Sequence, residues 1–215
     1  VVRELTIKSG QKCTAIRRIF VPEASYDDVA SAIAGKLQGI TVGDPRNESV
    51  RMGSLVSQTQ KKAVTEGIEL LAKHCDVLFD GRTQSPMQVE GNDHACVAPM
   101  LFGTRDPDNL ALVHETEVFG PVATLMPYRD IEHAYELARR GMGSLVASVY
   151  GEDNDYLAQA ALRLAESHGR VHIINSAVAK VQTGHGNAMP QSNHGGPGRA
   201  GGGQELGGLR ALAFY

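Results

Sequence analysis

The sequence predicts an α/β fold: an open, mainly parallel sheet with helices on both faces. Three observations carry that prediction. Short apolar runs alternate with segments whose apolar residues recur every three or four positions. Brief turns rich in Gly, Pro, Asp and Asn join them. With 215 residues, 42% of them apolar, the chain is long enough to bury one good-sized core, or one and a small appendage.

The elements follow in order. Val1 to Leu5 reads as the middle of a helix that begins without a capping residue, and we therefore expect the chain to be a piece of a longer polypeptide. Arg17 to Val21 reads as a strand closed by Pro22. Tyr26, Val29, Ala30, Ile33 and Leu37 share one helical face, and Gly39 ends that helix. Val42 to Pro45 is a turn. A second helix covers roughly Ser57 to Lys73, with Val64, Ile68 and Leu71 inward. Cys75 to Phe79 is a short strand, and Asp80 to Asn92 is loop-like.

Cys96 to Phe102 is apolar but interrupted by Pro99, which predicts an edge strand or extended segment. A turn at Asp106 to Leu110 precedes a buried strand at Val122 to Met126. Asp130 caps a helix through Ala134, Leu137 and Ala138. Ser144 to Tyr150 is a strand, Asp153 opens a helix with Leu157, Ala161 and Leu164 inward, and Val171 to Ile174 is a strand ending at Asn175. Strands alternating with helices in this way build a parallel sheet covered on both sides. Residues 1–190 form the main domain, and residues 191–215 a glycine-rich C-terminal segment.

Composition excludes several functions. The net charge of −3 gives no electrostatic footprint for nucleic acid. No apolar run is long enough to span a bilayer, so no membrane association is expected. The three cysteines, Cys13, Cys75 and Cys96, are odd in number and lack metal-ligand spacing, which fits a reducing cytoplasm.

Of the three, only Cys13 sits where it could be activated. Gly10 gives a sharp turn before it, Lys12 puts a cation beside it, and Thr14 to Ile16 begin a short regular segment. A cation and outward-pointing N–H groups both favour the nucleophilic thiolate. The same N–H groups could hold a developing oxyanion. A buried structural cysteine is the alternative.

The segment Gly10-Gln11-Lys12-Cys13-Thr14-Ala15-Ile16-Arg17-Arg18 resembles the catalytic-cysteine segment of the aldehyde dehydrogenase superfamily. The resemblance is densest with two kinds of member: the dehydrogenase half of a bifunctional phenylacetate-degradation protein, and a dehydrogenase acting on a CoA-linked semialdehyde in benzoyl-CoA breakdown. It implies that Cys13 attacks an aldehyde to give a thiohemiacetal. Hydride loss to NADP or NAD then leaves a thioester, which water activated by a glutamate releases as the acid. The N-terminal cofactor domain, the general-base glutamate and the side-chain oxyanion donor lie upstream in the family and are absent here. The fragment alone is therefore expected to be inactive. A homo-oligomer is implied as well.

Glu117-Val118-Phe119-Gly120-Pro121-Val122 resembles the superfamily's Glu-x-Phe-Gly-Pro-Val motif. The resemblance makes Glu117 and Phe119 cofactor-binding, the carboxylate on the nicotinamide ribose and the ring beside the nicotinamide. Read from the residues alone, this is also an acidic loop before a strand, with Phe119 in the core. His194-Gly195-Gly196-Pro197-Gly198-Arg199-Ala200-Gly201 resembles the family's C-terminal segment. Its G-x-G-x-x-G pattern at Gly196, Gly198 and Gly201 follows no strand, so a backbone path with positive φ and close approach is expected instead of a dinucleotide fingerprint.

The remaining polar residues carry weaker readings. His168 and His172 are four apart but interrupted by Gly169, so they do not share a helical face as a metal pair would. Asn175 is either a strand-end turn residue or a site residue at the carboxyl end of a strand. Gln60 falls where some family members contact the cofactor ribose, but the match is loose and an exposed helical position is the favoured reading. Two other functions remain open: a cysteine hydrolase using Cys13 with His114 or His194, and a non-catalytic assembly module.

Overall fold

A computed structural model describes residues 1–89, 94–190, 192–203 and 209–214. The chain forms two compact units, Val1–Ala134 and Tyr135–Tyr215.

The first unit is built on a four-stranded sheet. In chain order it contains α1 (Val2–Thr6), β1 (Arg18–Pro22), α2 (Tyr26–Leu37), the two-residue β2 (Val42–Gly43), α3 (Gln58–Ala72) and β3 (Asp76–Asp80). There follow α4 (Gly81–Gln84), β4 (Met87–Gln88), β5 (Met100–Gly103), α5 (Leu112–Glu115), β6 (Val122–Tyr128) and the start of α6 (Ile131–Arg139). The sheet order is β1-β6-β5-β3. β1, β6 and β5 run parallel, and β3 is antiparallel to β5. β6 is buried along nearly its whole length, as an apolar strand covered on both faces must be.

Neighbouring residues of β5 face opposite ways, and this separates two cores. Leu101 joins Ile19, Ile33, Leu37, Phe79 and Leu125, so α2 covers one face. Met100 and Phe102 join Val64, Ile68, Leu71 and Val122, so α3 covers the other. Helices lie on both faces of a mainly parallel sheet. The predicted Asp130 cap acts as expected, accepting a hydrogen bond from the His133 N–H, and Ser57 caps α3 by accepting one from the Gln60 N–H.

Three local expectations need correction. Cys96 to Phe102 is no edge strand: β5 starts at Met100, between β6 and β3. Pro99 lies just before the ladder, so its missing N–H costs no strand hydrogen bond, and the Met100 N–H donates to the Pro121 carbonyl at 2.9 Å. The stretch after Asp80 is not all loop. Asp80 caps α4, and β4 pairs with β2, while Glu90 to Asn92 lie outside the described residues. Thr14 to Ile16 begin no regular segment: the Ala15 N–H donates to the Lys12 carbonyl at 3.0 Å, closing one turn shortly before β1.

The second unit holds β7 (Ser144–Tyr150), α7 (Asn154–Ala165), β8 (His168–Ile174) and α8 (Leu209–Phe214). β7 and β8 pair in parallel, with Asp153 capping α7. β8 begins at His168, three residues before the predicted start, because Ser144 already pairs there. The glycine-rich segment follows a positive-φ path at Gly198 and Gly201–Gly203. A Cβ on Gly198 would lie 2.1 Å from the Met142 carbonyl oxygen. The rest of that segment, residues 204–208, and Tyr215 lie outside the described residues. Among the described residues, no helix is long and apolar enough to cross a membrane.

Candidate functional site

Two loops at the same end of the first unit's sheet form the candidate site. The Cys13 turn runs into β1, and residues 117–121 run into β6. Because β1 and β6 are adjacent and parallel, both loops meet at the amino-terminal ends of their strands. Ligand sites of open α/β sheets usually lie at the carboxyl ends.

The first loop enters through a left-handed path, with φ of 51° at Lys8, 55° at Ser9 and 70° at Gly10. Two consecutive non-glycine residues in this region carry backbone strain. Ser9 helps to hold them, since its hydroxyl donates to the Gly53 carbonyl at 2.8 Å. Gly10 has no alternative: a Cβ there would lie 2.2 Å from the Gly120 carbonyl oxygen and 2.7 Å from the Pro121 nitrogen. The two loops therefore touch backbone to backbone.

Gln11 joins three segments. Its side-chain Oε1 accepts from the Val56 N–H at 2.8 Å, and its side-chain NH2 donates to the Phe119 carbonyl at 3.3 Å and to Gln60 Oε1 at 3.5 Å. Cys13, two residues on, is exposed. Lys12 does not serve it as the expected cation. The Lys12 ammonium donates to Glu4 Oε2 at 2.8 Å, and both side chains are largely buried. Thr14, behind Cys13, is buried.

Residues 117–121 alternate in direction. Val118 and Gly120 face α3, where a Cβ on Gly67 would lie 2.7 Å from Val118 and a Cβ on Gly120 would lie 2.7 Å from Val64. That packing turns Glu117 and Phe119 outward, with the Glu117 side chain 48% exposed and Phe119 37% exposed. Phe119 is thus not a core residue. It lines an open cleft of about 550 Å³ together with Lys8, Gln11, Ser54, Val56 and Gln60.

Arg17 lies behind both loops. It donates to the Gly10 carbonyl at 2.6 Å and to the Gly120 carbonyl at 2.9 Å. Its guanidinium carbon is 5.4 Å from the Phe119 ring centroid, and its Nε is 3.9 Å from Glu117 Oε1. Burial pushes Arg17 down to about 10, with Glu117 acting the other way, so the guanidinium remains charged at neutral pH.

The structure therefore brings the Cys13 turn together with the Glu117–Phe119 segment. Sequence reading undervalued Gln60, which the Ser57 cap places on the first turn of α3 facing the cleft. It assigned no role to Gln11 or Arg17, although both flank Cys13 in the motif. Both ring nitrogens of His114 meet groups other than the Cys13 thiol. One ring nitrogen lies 3.3 Å from Arg18 Nη1 and the other 2.9 Å from the Pro107 carbonyl, in a buried setting. His194 and Asn175 belong to the second unit. There Asn175 acts as a turn residue, its side chain accepting from the Val178 N–H at 3.2 Å.

The lining suits one end of a nucleotide. The two amides of Gln11 and Gln60 match sugar hydroxyls, and the outward Phe119 ring matches a flat heterocycle.

Comparisons with known proteins agree with this chemistry. The model of the aldehyde dehydrogenase family matches residues 1–215. A 3,4-dehydroadipyl-CoA semialdehyde dehydrogenase from Aromatoleum evansii is 47% identical over 198 residues, covering 92% of this chain and 38% of that protein. Protein MaoC of Klebsiella aerogenes is 45% identical over 165 residues, covering 76% of this chain and 48% of that protein. The solved NAD+ complex of an aldehyde dehydrogenase from Bacillus cereus matches the fold with a TM-score of 0.83 at 26% identity, covering 100% of this chain and 40% of that one. The chain thus spans less than half the length of these relatives.

Proposed function

This chain belongs to the aldehyde dehydrogenase family, and on that premise we propose that it supplies the nucleophile and one wall of the cofactor site in an NAD(P)-dependent dehydrogenase. The enzyme oxidises a CoA-linked semialdehyde, formed after opening of an aromatic ring, to the corresponding acid. The substrate class rests on the name of the Aromatoleum evansii relative, and a role in phenylacetate breakdown is the pathway we assign to it. Residues 1–190 act as the catalytic domain and 191–215 as its C-terminal segment. The protein works in the cytoplasm as a homo-oligomer.

Cys13 is the nucleophile. Its exposed sulfur adds to the aldehyde carbon, the thiol proton leaves, and a thiohemiacetal forms. Turn N–H groups near Cys13 stabilise the oxyanion. Glu117 accepts hydrogen bonds from the nicotinamide ribose, Phe119 limits where the nicotinamide ring can lie, and Gln11 and Gln60 line the same cleft. NAD or NADP, when bound, supplies the acceptor for the hydride lost as the thiohemiacetal becomes a thioester. A glutamate outside these 215 residues activates the water that releases the acid, so residues 1–215 alone do not turn over.

The observation that carries this reading is the hydrogen-bonded junction between Gln11, beside Cys13, and Phe119. The test is to assay the full-length protein with a CoA-linked semialdehyde and either nucleotide. Cys13→Ala is expected to lower kcat by about 10³-fold or more with the nucleotide still bound. Activity surviving that substitution would end the reading.

A further inference from the structure

Arg17 is among the most heavily engaged side chains of the site, and the proposed chemistry gives it nothing to do. Its side chain is 15% exposed, and its guanidinium spans the seam between the two loops, holding the Gly10 carbonyl with one nitrogen and the Gly120 carbonyl with another. These are the two residues whose backbones touch. A planar fork with fixed donors can hold two carbonyls in one geometry, which a point charge on a flexible stem cannot. The same group lies over the ring of Phe119, which lines the cleft. Its buried Nε makes no hydrogen bond, and the ion pair with Glu117 is long at 3.9 Å, which leaves that carboxylate available to a ligand.

The neighbouring arginine is used differently. Arg18 lies over Phe20 and approaches His114. With Lys12 held by Glu4, Arg17 is the buried cation that reaches both loops.

We propose that Arg17 is a positioning residue that sets the register between the Cys13 turn and the Glu117–Phe119 wall, and so the distance between the reacting carbon and the hydride acceptor. This rests on the dehydrogenase reading above. Losing the clamp removes no ligand-contacting side chain but lets one loop drift against the other, and a displacement of about 1 Å is enough to slow a reaction about 100-fold. The effect therefore falls on kcat rather than on nucleotide affinity.

Arg17→Met and Arg17→Lys in the full-length protein test this. In Arg17→Met, amide hydrogen exchange is expected to rise about 10-fold or more in residues 10–13 and 117–121 together, with residues 76–80 unchanged. kcat falls about 30- to 100-fold while the Kd values of NAD+ and NADP+ change less than about threefold, and Arg17→Lys recovers part of the loss. Exchange unchanged in either loop overturns the proposal. So does a lower melting temperature with kcat per folded molecule intact, or a rise in nucleotide Kd with kcat intact. If Arg17→Met does not fold, Arg17→Lys is read by the same criteria. Exchange is measured without turnover, whereas the dehydrogenase reading fails on an active Cys13→Ala, so the two failures are distinguishable.

Discussion

Gly10 rests on the backbone of Gly120, so closely that a single methyl group on Gly10 would sit 2.2 Å from the Gly120 carbonyl oxygen. The contact joins the two loops of the site at a point where neither side chain can yield, because neither residue has one.

Gly10→Ala is therefore expected to be costly. The left-handed φ of 70° adds about 1–2 kcal/mol for a residue with a Cβ, and the backbone clash adds more. Together they should lower stability by about 3 kcal/mol or more. Gly35→Ala, in the exposed face of α2 with nothing within 4 Å of the new Cβ, should instead raise it by about 0.5–1 kcal/mol. Urea unfolding of both variants gives the comparison, and equal effects would contradict the contact.

Glu117→Gln keeps the shape of the side chain and removes its charge. A hydrogen bond to a charged acceptor is worth about 1.5–3 kcal/mol, so the KM for NAD(P) should rise about 10-fold or more. The KM for the aldehyde should change little, because the expected contact is with the ribose. Steady-state kinetics with each substrate varied in turn separates the two effects.

The three thiols should react in a defined order. Burial, reinforced by the adjacent Asp76, pushes Cys75 up to about 11, and burial also raises Cys96. Little thiolate exists at either site at pH 8. Cys13 is the exposed one. Timed iodoacetamide labelling with peptide mass spectrometry should show Cys13 modified first. Equal, slow labelling of all three would favour a non-catalytic module.

Asp108 offers a pH test of the fold at the opposite end of β6 from the site. Its hydrogen bond from Arg129, and then that from His133, hold the carboxyl below the usual range. A carboxylate held low contributes stability at neutral pH that disappears as pH falls through its folded value. Asp108→Asn should thus lower the Tm at pH 6, and the gap from the unsubstituted protein should narrow toward pH ~3, below the ordinary carboxylate value of about 4. A gap that widens with acid would refute this assignment.

Much of the layout was legible because local signals agreed with the fold. Asp130 and Asp153 cap helices where the sequence places helix starts. The apolar run at Val122 marks the buried strand. The pairing of the Cys13 turn with Glu117 and Phe119 was legible only through family resemblance, since no periodicity links loops so distant in the chain. Pro99 misled, because a proline before a strand and a proline within one look alike until the first ladder bond is known. Lys12 misled too, since nothing short-range shows that Glu4, on α1, takes its charge. Arg17 stayed hidden for a similar reason: the carbonyls it holds are backbone atoms, which no side-chain pattern records.

The parallel pairing of β1 with β6 makes residues 108 positions apart, such as Gln11 and Phe119, direct neighbours. No short peptide cut from this chain can reproduce the cleft. During synthesis the Cys13 turn emerges long before residues 117–121, against which it packs. Until β6 leaves the ribosome and docks, Cys13 is only an ordinary surface thiol, open to any oxidant or electrophile that reaches it first.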